Sequence, residues 1–484
     1  MAKKDPNSPA TTSLAYDLML PKWEKISTLL SGTEAMREAG QLYLPQHPGE
    51  TDKAYEHRKE MTFLLNMLDM TLASLVSRPF ADPIKINLDQ MPKELQACLQ
   101  DIDLQGTSLD RYCRMWFKEG LSKGYSGTLI EFPETVPNAD GSPRTAADDQ
   151  REKLRPYFVH IVPENMIAAR ADVVNGREIL TEVRIREEVI VPDGYAETLK
   201  IRIRRITPGR VQIFEKQKLS NGKIVWVPIK DYTYDLDFIP MVIFYADRQG
   251  FMLAKPPLEN LADLNIRHWQ STSDQIAVLT VARFPMLAIS GATETDDVKV
   301  GPNTLLSVTD PTGRYYYVEH TGKAIAVGRQ DLVDLEETMA EYGATFLKKR
   351  PGGATATARA LDSAEVTCAL QDMTLGFQDT LNMAMWMFGQ WMDIEVPEKT
   401  CEIKRNFGMS DQEEAELNTL IEARKNRDIS RRVFLEGLIK FGILPEDFDF
   451  ASNLTEVEKE IQDDLAREKE LIQAKPKPAP SAKA

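Results

Sequence analysis

The sequence has few cysteines and no long hydrophobic run. Among 484 residues there are four cysteines, Cys98, Cys113, Cys368 and Cys401, and no two of them form a Cys-x-x-Cys pair. So few cysteines in a chain of this length indicate reduced, buried thiols rather than a disulfide framework. No apolar run is long enough to span a bilayer, so no membrane segment is expected. The polar opening residues lack the hydrophobic stretch of a secretory signal.

The common catalytic and metal-binding motifs are also missing from the sequence. Both Gly-Lys pairs, Gly222-Lys223 and Gly322-Lys323, lack the other residues of a phosphate-binding loop. Neither a dinucleotide-binding Gly-x-Gly-x-x-Gly nor a Gly-x-Ser-x-Gly elbow is present. The histidines are scattered and show no zinc-site spacing: they are His47, His57, His160, His268 and His320. We therefore predict no catalytic residue, no metal, no cofactor and no enzymatic activity.

Positive charge is in deficit. Lys and Arg number 59 against 74 for Asp and Glu, which gives a formal net charge of −15. Such a chain is a poor general binder of nucleic acid, because phosphate contacts need Lys and Arg. It can still touch DNA locally, or enclose DNA without gripping it. The 42% of hydrophobic residues is typical of a soluble globular protein.

The first quarter of the chain carries helical signals. Residues 1–12 are predicted to be disordered, and residues 13–126 to be helical. The clearest pattern is one apolar stripe at steps of three and four from Met61 to Val76, which predicts a single helix that Pro79 ends.

Residues 127–245 are β-rich. Leu199 to Arg204 alternates strictly between apolar and basic residues, which is typical of a strand with one buried face. Asn221-Gly222 lies between two strand-like runs and indicates a hairpin turn. We predict an antiparallel β domain of meander type.

Two long helices flank a short β-rich insert. The first is predicted over 256–284 and opens with Pro256-Pro257, since proline is tolerated at the first helical position. The second is predicted over 327–349. The insert, 285–326, has turn signals at Gly301-Pro302 and Thr312-Gly313 and contains Tyr315, Tyr316 and Tyr317.

The second helix has two distinct faces. Its apolar stripe comprises Leu332, Leu335, Met339, Tyr342 and Phe346. At 100° per residue, Asp334, Glu337 and Glu341 fall on the opposite face. Such a face is often simply solvated. The alternatives are the lumen of a channel and a contact with a neighbouring subunit.

A loop of small residues follows that helix over 350–359. Gly352, Gly353, Thr355 and Thr357 give it small side chains. Its basic flanks are Lys348, Lys349, Arg350 and Arg359. Cations are also favoured at any helix C-terminus by the helix dipole, so an ordinary helix end remains an alternative.

The rest of the chain is predicted to be mainly helical. A long helix and a strand are expected over 360–410, a helical region over 411–474, and a flexible proline-containing tail over 475–484.

The order of these elements resembles the portal proteins of tailed bacteriophages, within a diverged portal family of uncharacterised-domain type. The resemblance is strongest between residues 240 and 444, and its weaker N-terminal part lies at Gly40–Pro45 and His47–Glu50. Three stretches carry it: Pro257 to Asp274 resembles the first stem helix, Phe284-Pro285 with Val300–Thr304 resembles the clip insert, and Glu319–Gly322 followed by Leu332–Leu347 resembles the second stem helix.

The resemblance implies an α+β, portal-like fold. Residues 13–255 would form a helical and β-rich wing, 256–284 and 327–349 the stem, and 285–326 the clip. Residues 350–359 would be the tunnel loop, 360–410 a long wing helix with a strand, and 411–474 a helical crown.

The resemblance also implies a ring of roughly twelve identical subunits at one capsid vertex. Double-stranded DNA would pass through without sequence specificity. The implied partners are the packaging motor (terminase), head–tail adaptor proteins, and the major capsid or scaffolding protein, with Tyr315, Tyr316 and Tyr317 as clip docking residues. The protein would be located in the virion, be assembled in the host cytoplasm and bind no membrane.

Two functions remain open from the sequence. The first is the portal itself, where subunits of charge −15 add up to about −180 in the ring and repel phosphate, while a few cations at a constriction make transient contacts. The second is a capsid–tail adaptor, or another oligomeric assembly protein, that does not enclose DNA.

Overall fold

Helices and strands follow one another in blocks along the chain, as the predicted α+β class requires. The computed structural model describes residues 4–87, 91–133, 148, 151–152, 154–218, 224–283, 286–290, 312–318, 323–347, 368–397, 399–405, 411–426, 428–440, 448–450, 452–453, 455 and 459. The chain divides into two units, Met1–Arg405 and Asn406–Ala484. The mixed helix and strand composition that the sequence predicted is confirmed.

Helices dominate the chain up to residue 123. They are α1 (Leu14–Leu30), α2 (Thr33–Ala39), α3 (Asp52–Met61), α4 (Met67–Ser77), α5 (Lys93–Cys98) and α6 (Leu109–Lys123), with a short strand, β1 (Lys85–Ile86), between α4 and α5. Side chains cap three of these helices: Ser13 accepts from Tyr16 N, Thr51 from Ala54 N and Asn66 from Asp69 N. Each cap satisfies a backbone N–H that the helix itself leaves without a partner.

The sequence predicted one helix over the apolar stripe from Met61 to Val76. The structure does not have one continuous helix there. Helix α3 ends at Met61 and α4 begins at Met67, with non-helical backbone between them. Arg37 donates from Nε and Nη2 to the carbonyl of Thr62, at 3.2 and 2.9 Å. The Asn66 cap then starts the second helix. These side-chain bonds replace the helical bonds that the break removes.

Residues 4–12 lie against the body of the first unit. Arg184 Nη1 donates to the carbonyl of Pro9 at 3.0 Å, and Lys4 forms an ion pair with Asp17. The sequence predicted a disordered start over residues 1–12. Contacts with a distant strand instead hold residues 4–12, and such contacts leave no local pattern in the sequence.

The β-rich region forms two antiparallel sheets. Its strands are β2 (Tyr125–Glu131), β3 (Tyr157–Ile161), β4 (Met166–Val174), β5 (Arg177–Asp193), β6 (Ala196–Thr207), β7 (Arg210–Lys218), β8 (Ile224–Thr233) and β9 (Met241–Tyr245). Strands β4 to β8 pair in chain order, so the predicted meander is confirmed. A smaller sheet has the order β3-β2-β9, in which Gly127 lies opposite both Ile161 and Ile243. Strands β10 (Arg248–Gly250) and β11 (Leu253–Ala254) form a short hairpin after it.

Three long helices follow. Helix α7 (Glu259–Ala282) lies within the range predicted for the first stem helix. Helix α8 (Lys323–Thr345) begins four residues before the range 327–349 predicted for the second, so it includes the end of the predicted insert. Between them, β12 (Met286–Ser290) and β13 (Arg314–Val318) pair as an antiparallel hairpin. Helix α9 (Ala369–Trp391) starts later than the predicted residue 360, because Cys368 is extended and its N–H donates to Gln371 Oε1 at 2.8 Å. Strand β14 (Cys401–Glu402) pairs with β1.

An aromatic core joins α6, the smaller sheet and α9. The ring of Phe377 on α9 lies 5.0 Å from Trp116, 5.3 Å from Phe117 and 5.0 Å from Phe244 between centroids. These are separations at which edge-to-face aromatic pairs attract. Gly120 lets α6 approach this sheet, since a Cβ there would lie 2.3 Å from the Phe244 ring.

The second unit contains helices α10 (Asp411–Lys425) and α11 (Arg431–Lys440). They pack closely at Gly437, where a Cβ would lie 2.5 Å from Leu420 Cδ2. Arg424 Nη1 donates to the carbonyl of Ile429 at 3.2 Å and fixes the turn between the two helices. Most of the predicted crown beyond residue 440, and the tail over 475–484, lie outside the described residues.

Candidate functional site: a helix pair and its hairpin

Helices α7 and α8 form an antiparallel pair. Residues near the start of α7 contact the end of α8, and residues near its end contact the start of α8. Tyr342 OH donates to the carbonyl of Pro257 at 3.2 Å, and Ser271 Oγ donates to Asp331 Oδ2 at 3.1 Å. Further along, Gln275 Nε2 donates to the carbonyl of Ile325 at 3.1 Å. These polar contacts fix the register of the two helices.

A buried histidine lies in the middle of the pair. His268 is only 3% exposed; its Nε2 is 3.3 Å from Glu336 Oε1 and its Nδ1 is 3.4 Å from Thr272 Oγ1. Both ring nitrogens therefore have a partner, one on each helix. The arrangement supports a structural role for His268, since the partners hold the ring in place.

The other side of α7 is anchored to the N-terminal helices. Asn265, fully buried, accepts from the N–H of Leu68 at 3.0 Å and donates to the carbonyl of Leu65 at 2.9 Å. Lys22 and Lys25 of α1 bind carboxylates in the first turns of α7. Polar bonds thus anchor the helix pair to the N-terminal helices.

Arg58 is the hub of this anchoring. Its Nε and Nη2 each donate to one carboxylate oxygen of Glu50 at 2.8 Å, and Nη1 donates to Ser273 Oγ at 3.0 Å. The bidentate bond with Arg58 lowers the pKa of Glu50 to about 2. A nearby pair, His47 Nε2 with Asp274 Oδ1 at 3.0 Å, lies at the solvent edge of the same cluster.

The exposed side of α8 is acidic. Leu335, Met339 and Phe346 of the predicted apolar stripe are buried. Asp334, Glu337 and Glu341 are all exposed, as the helical periodicity required. Asp334 Oδ1 accepts from Gln330 Nε2 at 2.7 Å, one turn earlier on the same helix. The structure therefore brings these three carboxylates together on one surface.

The hairpin between the helices carries the tyrosine triplet. Tyr315 faces Ile289, Tyr316 faces Ala288 and Tyr317 faces Leu287 in the strand register. Tyr316 is 46% exposed, and the guanidinium of Arg314 lies 5.9 Å from its ring centroid. Tyr315 is half-buried, and the side chain of Tyr317 lies outside the described residues. At least one aromatic face of the hairpin is therefore open to solvent.

The predicted basic loop lies outside the described residues. Lys348, Lys349, Arg350, Gly352, Gly353, Thr355, Thr357 and Arg359 all fall between Leu347 and Cys368, where the description stops and resumes. Their role as tunnel residues stays a prediction.

Sequence reasoning missed the polar residues that hold the helix pair. Asn265, His268 and Thr272 follow each other at steps of three and four on α7, so a buried polar stripe was visible as a pattern. Their partners, such as Leu68 and Glu336, lie far along the chain. Without those partners, the stripe could not be distinguished from a solvated face.

Among the described residues, no group of three His, Cys, Asp or Glu side chains is placed to hold a metal ion. Over the same residues, no helix combines the length and the apolar character that crossing a bilayer requires. The four cysteines are buried free thiols, as the sequence predicted.

Residues 257–392, which include the helix pair, the hairpin and α9, match the family described as a domain of unknown function, DUF4055. A search of curated proteins finds no match. Among solved structures, this chain is similar to a chain from the virion of a native gene transfer agent particle, with 12% identity, a TM-score of 0.37, and coverage of 84% of this chain and 98% of that one.

Two further similar chains come from the necks of gene transfer agent particles. One is from an empty particle computed with C6 symmetry, with 11% identity, a TM-score of 0.35, and coverage of 78% of this chain and 89% of that one. The other is from a native particle computed with C12 symmetry, with the same identity and coverage and a TM-score of 0.37.

Proposed function

We propose that this chain is a structural subunit of the head–tail junction of a phage-like virion, and that its copies form the portal ring through which double-stranded DNA is packaged and ejected. One observation carries the proposal. An antiparallel pair of long helices, α7 and α8, is anchored to the body on one side, is acidic on its exposed side and is connected by a β hairpin. This is the stem-and-clip arrangement that the sequence resemblance implies.

The net charge of the chain suits a passage for DNA. The wall of a channel through which a polyanion moves must not bind the polyanion tightly, because each firm phosphate contact would slow the movement. Each chain has a formal net charge of −15, and repetition around a ring multiplies this negative field. On this proposal the ring is a passive conduit without enzymatic activity, and force comes from the packaging motor.

The hairpin is assigned to docking. Its exposed Tyr316 offers an aromatic surface beside the cation of Arg314. Tyrosine is enriched at protein interfaces because its ring supplies apolar area and its hydroxyl remains hydrated. We assign the packaging motor and the head–tail adaptors to this hairpin. The capsid or scaffolding protein is assigned to the wing, residues 13–255.

The assembly state and the central hole test the proposed function together. Native mass measurement of the purified protein should give a species near twelve times 54.7 kDa, because head-to-tail contacts close into rings. Electron microscopy should show rings with a hole wide enough for duplex DNA. A solid particle would favour the adaptor alternative, and a monomer at every concentration and salt would contradict both.

Removal of the hairpin tests its docking role. Deleting residues 286–322 and joining α7 to α8 through a short flexible linker should leave the wing folded, because none of the described residues of the insert belongs to the buried core. Packaging of DNA in an infected cell should be abolished. Normal packaging by the deletion variant would contradict the docking assignment, and circular dichroism should verify its fold.

The basic loop residues have a separate test. Replacing Lys348, Lys349, Arg350 and Arg359 with alanine should leave ring assembly intact and change DNA retention in a salt-dependent manner, since phosphate contacts release counterions. Unchanged packaged length and retention at all ionic strengths would identify these residues as ordinary helix-end cations.

A further inference from the structure

A basic stripe lies on the exposed face of α6. Arg111, Arg114 and Lys118 are all exposed and follow each other at steps of three and four, so they share one side of the helix. Met115, which is 46% exposed, lies beside them. The opposite side of α6 packs into the aromatic core and is not available to a partner.

The acidic stripe of α8 has the same spacing. Asp334, Glu337 and Glu341 also follow each other at steps of three and four. Each stripe therefore spans about 10 Å at the helical rise of about 1.5 Å per residue. Val333, which is 38% exposed, lies beside the carboxylates as Met115 lies beside the cations. The two surfaces are alike in length and in their mixed apolar and charged composition, and opposite in sign.

Within the described part of the chain, five of the six charged side chains of the two stripes have no ion-pair partner. There, no ion pair engages Arg111, Arg114 or any of the three carboxylates; Lys118 Nζ lies 3.4 Å from Asp69 Oδ1, and both side chains are nearly half exposed. Helix α4 packs against both α6 and α8, and so lies beside each stripe-bearing helix.

We propose that the basic stripe of one copy binds the acidic stripe of a second copy of this chain. Two different surfaces of opposite charge on one chain are complementary between copies, and such complementarity sets register and orientation. In a head-to-tail arrangement this contact repeats around a ring. The inference rests on the proposed function only in that the ring supplies the neighbouring copy. The proposal also places Asp334, Glu337 and Glu341 against the neighbouring subunit rather than in the lumen.

Charge-swap variants of the full chain test the contact. One variant carries Asp334→Lys, Glu337→Lys and Glu341→Lys; the other carries Arg111→Glu, Arg114→Glu and Lys118→Glu. Each alone should weaken self-association by at least about tenfold at low salt, because like charges then face each other. Mixing the two should restore association, since the native basic stripe of the first variant complements the native acidic stripe of the second, and the two reversed stripes complement each other. Analytical ultracentrifugation measures all three samples.

A control matched to the α8 variant reverses three exposed carboxylates elsewhere, Asp193→Lys, Glu197→Lys and Asp379→Lys, with the same change in net charge as that variant. This control should associate like the wild type, and circular dichroism should verify that all variants fold. Added salt should weaken the wild-type contact through screening. Single variants that associate normally, or a mixture that does not recover, would overturn the inference. The inference would also be overturned if reversal of the basic stripe weakened binding of a DNA duplex and left self-association unchanged.

The outcomes separate this inference from the proposed function. Wild-type rings that the swaps do not disturb would overturn the contact and leave the portal proposal standing. Swap-sensitive dimers without a central hole would support the contact and overturn the portal proposal.

Discussion

Helices α8 and α9 have the same length, 23 residues each, but they differ in how much of each helix is buried in the core. Eight residues of α9 are buried, among them Phe377, Leu381 and Phe388. In α8, over Ile325 to Thr345, only Leu335 and Met339 are buried. Burial of apolar area stabilises helices in proteins more than their own propensity does. Helix α9 is therefore part of the core of the first unit, and α8 is mainly a surface helix whose position depends on polar contacts with α7.

The largest expected effect is at the centre of the α9 core. Phe377→Ala should lower the free energy of unfolding by about 3–5 kcal/mol, because it leaves a cavity among four aromatic rings. Urea denaturation measures the change. Leu375→Ala, at a position 41% exposed on the same helix, is the control and should change stability by less than about 0.5 kcal/mol. Equal losses in the two variants would contradict the assignment of α9 to the core.

A smaller effect is expected where α7 is anchored. Asn265→Ala removes both bonds of the buried amide and leaves Leu68 N and Leu65 O without that partner. The expected loss is about 1–3 kcal/mol, the penalty for buried unsatisfied backbone groups. Thr280→Ala, exposed on the same helix, should be nearly neutral. If Asn265→Ala were as stable as the wild type, α7 would not depend on this anchor.

The ion pair between Arg58 and Glu50 predicts that the free energy of unfolding depends on pH. The pKa of Glu50 in the folded chain is about 2, below its ordinary value of 4.5. The unfolded chain therefore takes up this proton first, and the stabilisation present above pH 4.5 is lost as the pH falls towards 2. Glu50→Gln should cost about 1 kcal/mol at neutral pH, since a hydrogen bond to a charged group is stronger than one to a neutral group.

The stability difference between Glu50→Gln and the wild type should shrink between pH 4.5 and 2, which denaturation at several pH values measures. A difference independent of pH would show that Glu50 does not titrate with the predicted shift.

The smallest effect is expected at the start of α8. In Gly328→Ala the new Cβ would meet Gln275 Oε1 at 2.2 Å, so that flexible side chain must move and lose its bond to the carbonyl of Ile325. The lost bond costs about 1 kcal/mol, and replacing glycine by alanine in a helix regains about 1 kcal/mol. The melting temperature should hardly change. A loss above about 2 kcal/mol would mean that Gln275 cannot move aside.

The sequence predicted the parts of the fold that depend on local periodicity. The alternation at Leu199–Arg204 predicted a strand of the meander, and helical spacing predicted the acidic face of α8. The predicted turn at Asn221-Gly222 lies outside the described residues. The break between α3 and α4 could not be predicted, because Arg37 and Asn66 fix it through side-chain bonds.

The candidate site likewise has features that the sequence predicts and features that it does not. Its surface charges follow from spacing along one helix. Its internal order depends on pairs such as Arg58 with Ser273, whose partners are more than two hundred residues apart. No local pattern in the chain carries that information.

The insertion of the meander into the smaller sheet has a consequence for the order of folding. Strands β2 and β9 are paired although Tyr125 and Tyr245 are separated by the whole of β4 to β8. The hairpins of the meander close short loops and can form early, whereas β2 must wait for a distant partner. Once formed, the meander shortens the flexible chain between β2 and β9 and so reduces the entropic cost of that last pairing. We expect the meander to acquire protection from hydrogen exchange first during refolding, and β9 to join afterwards.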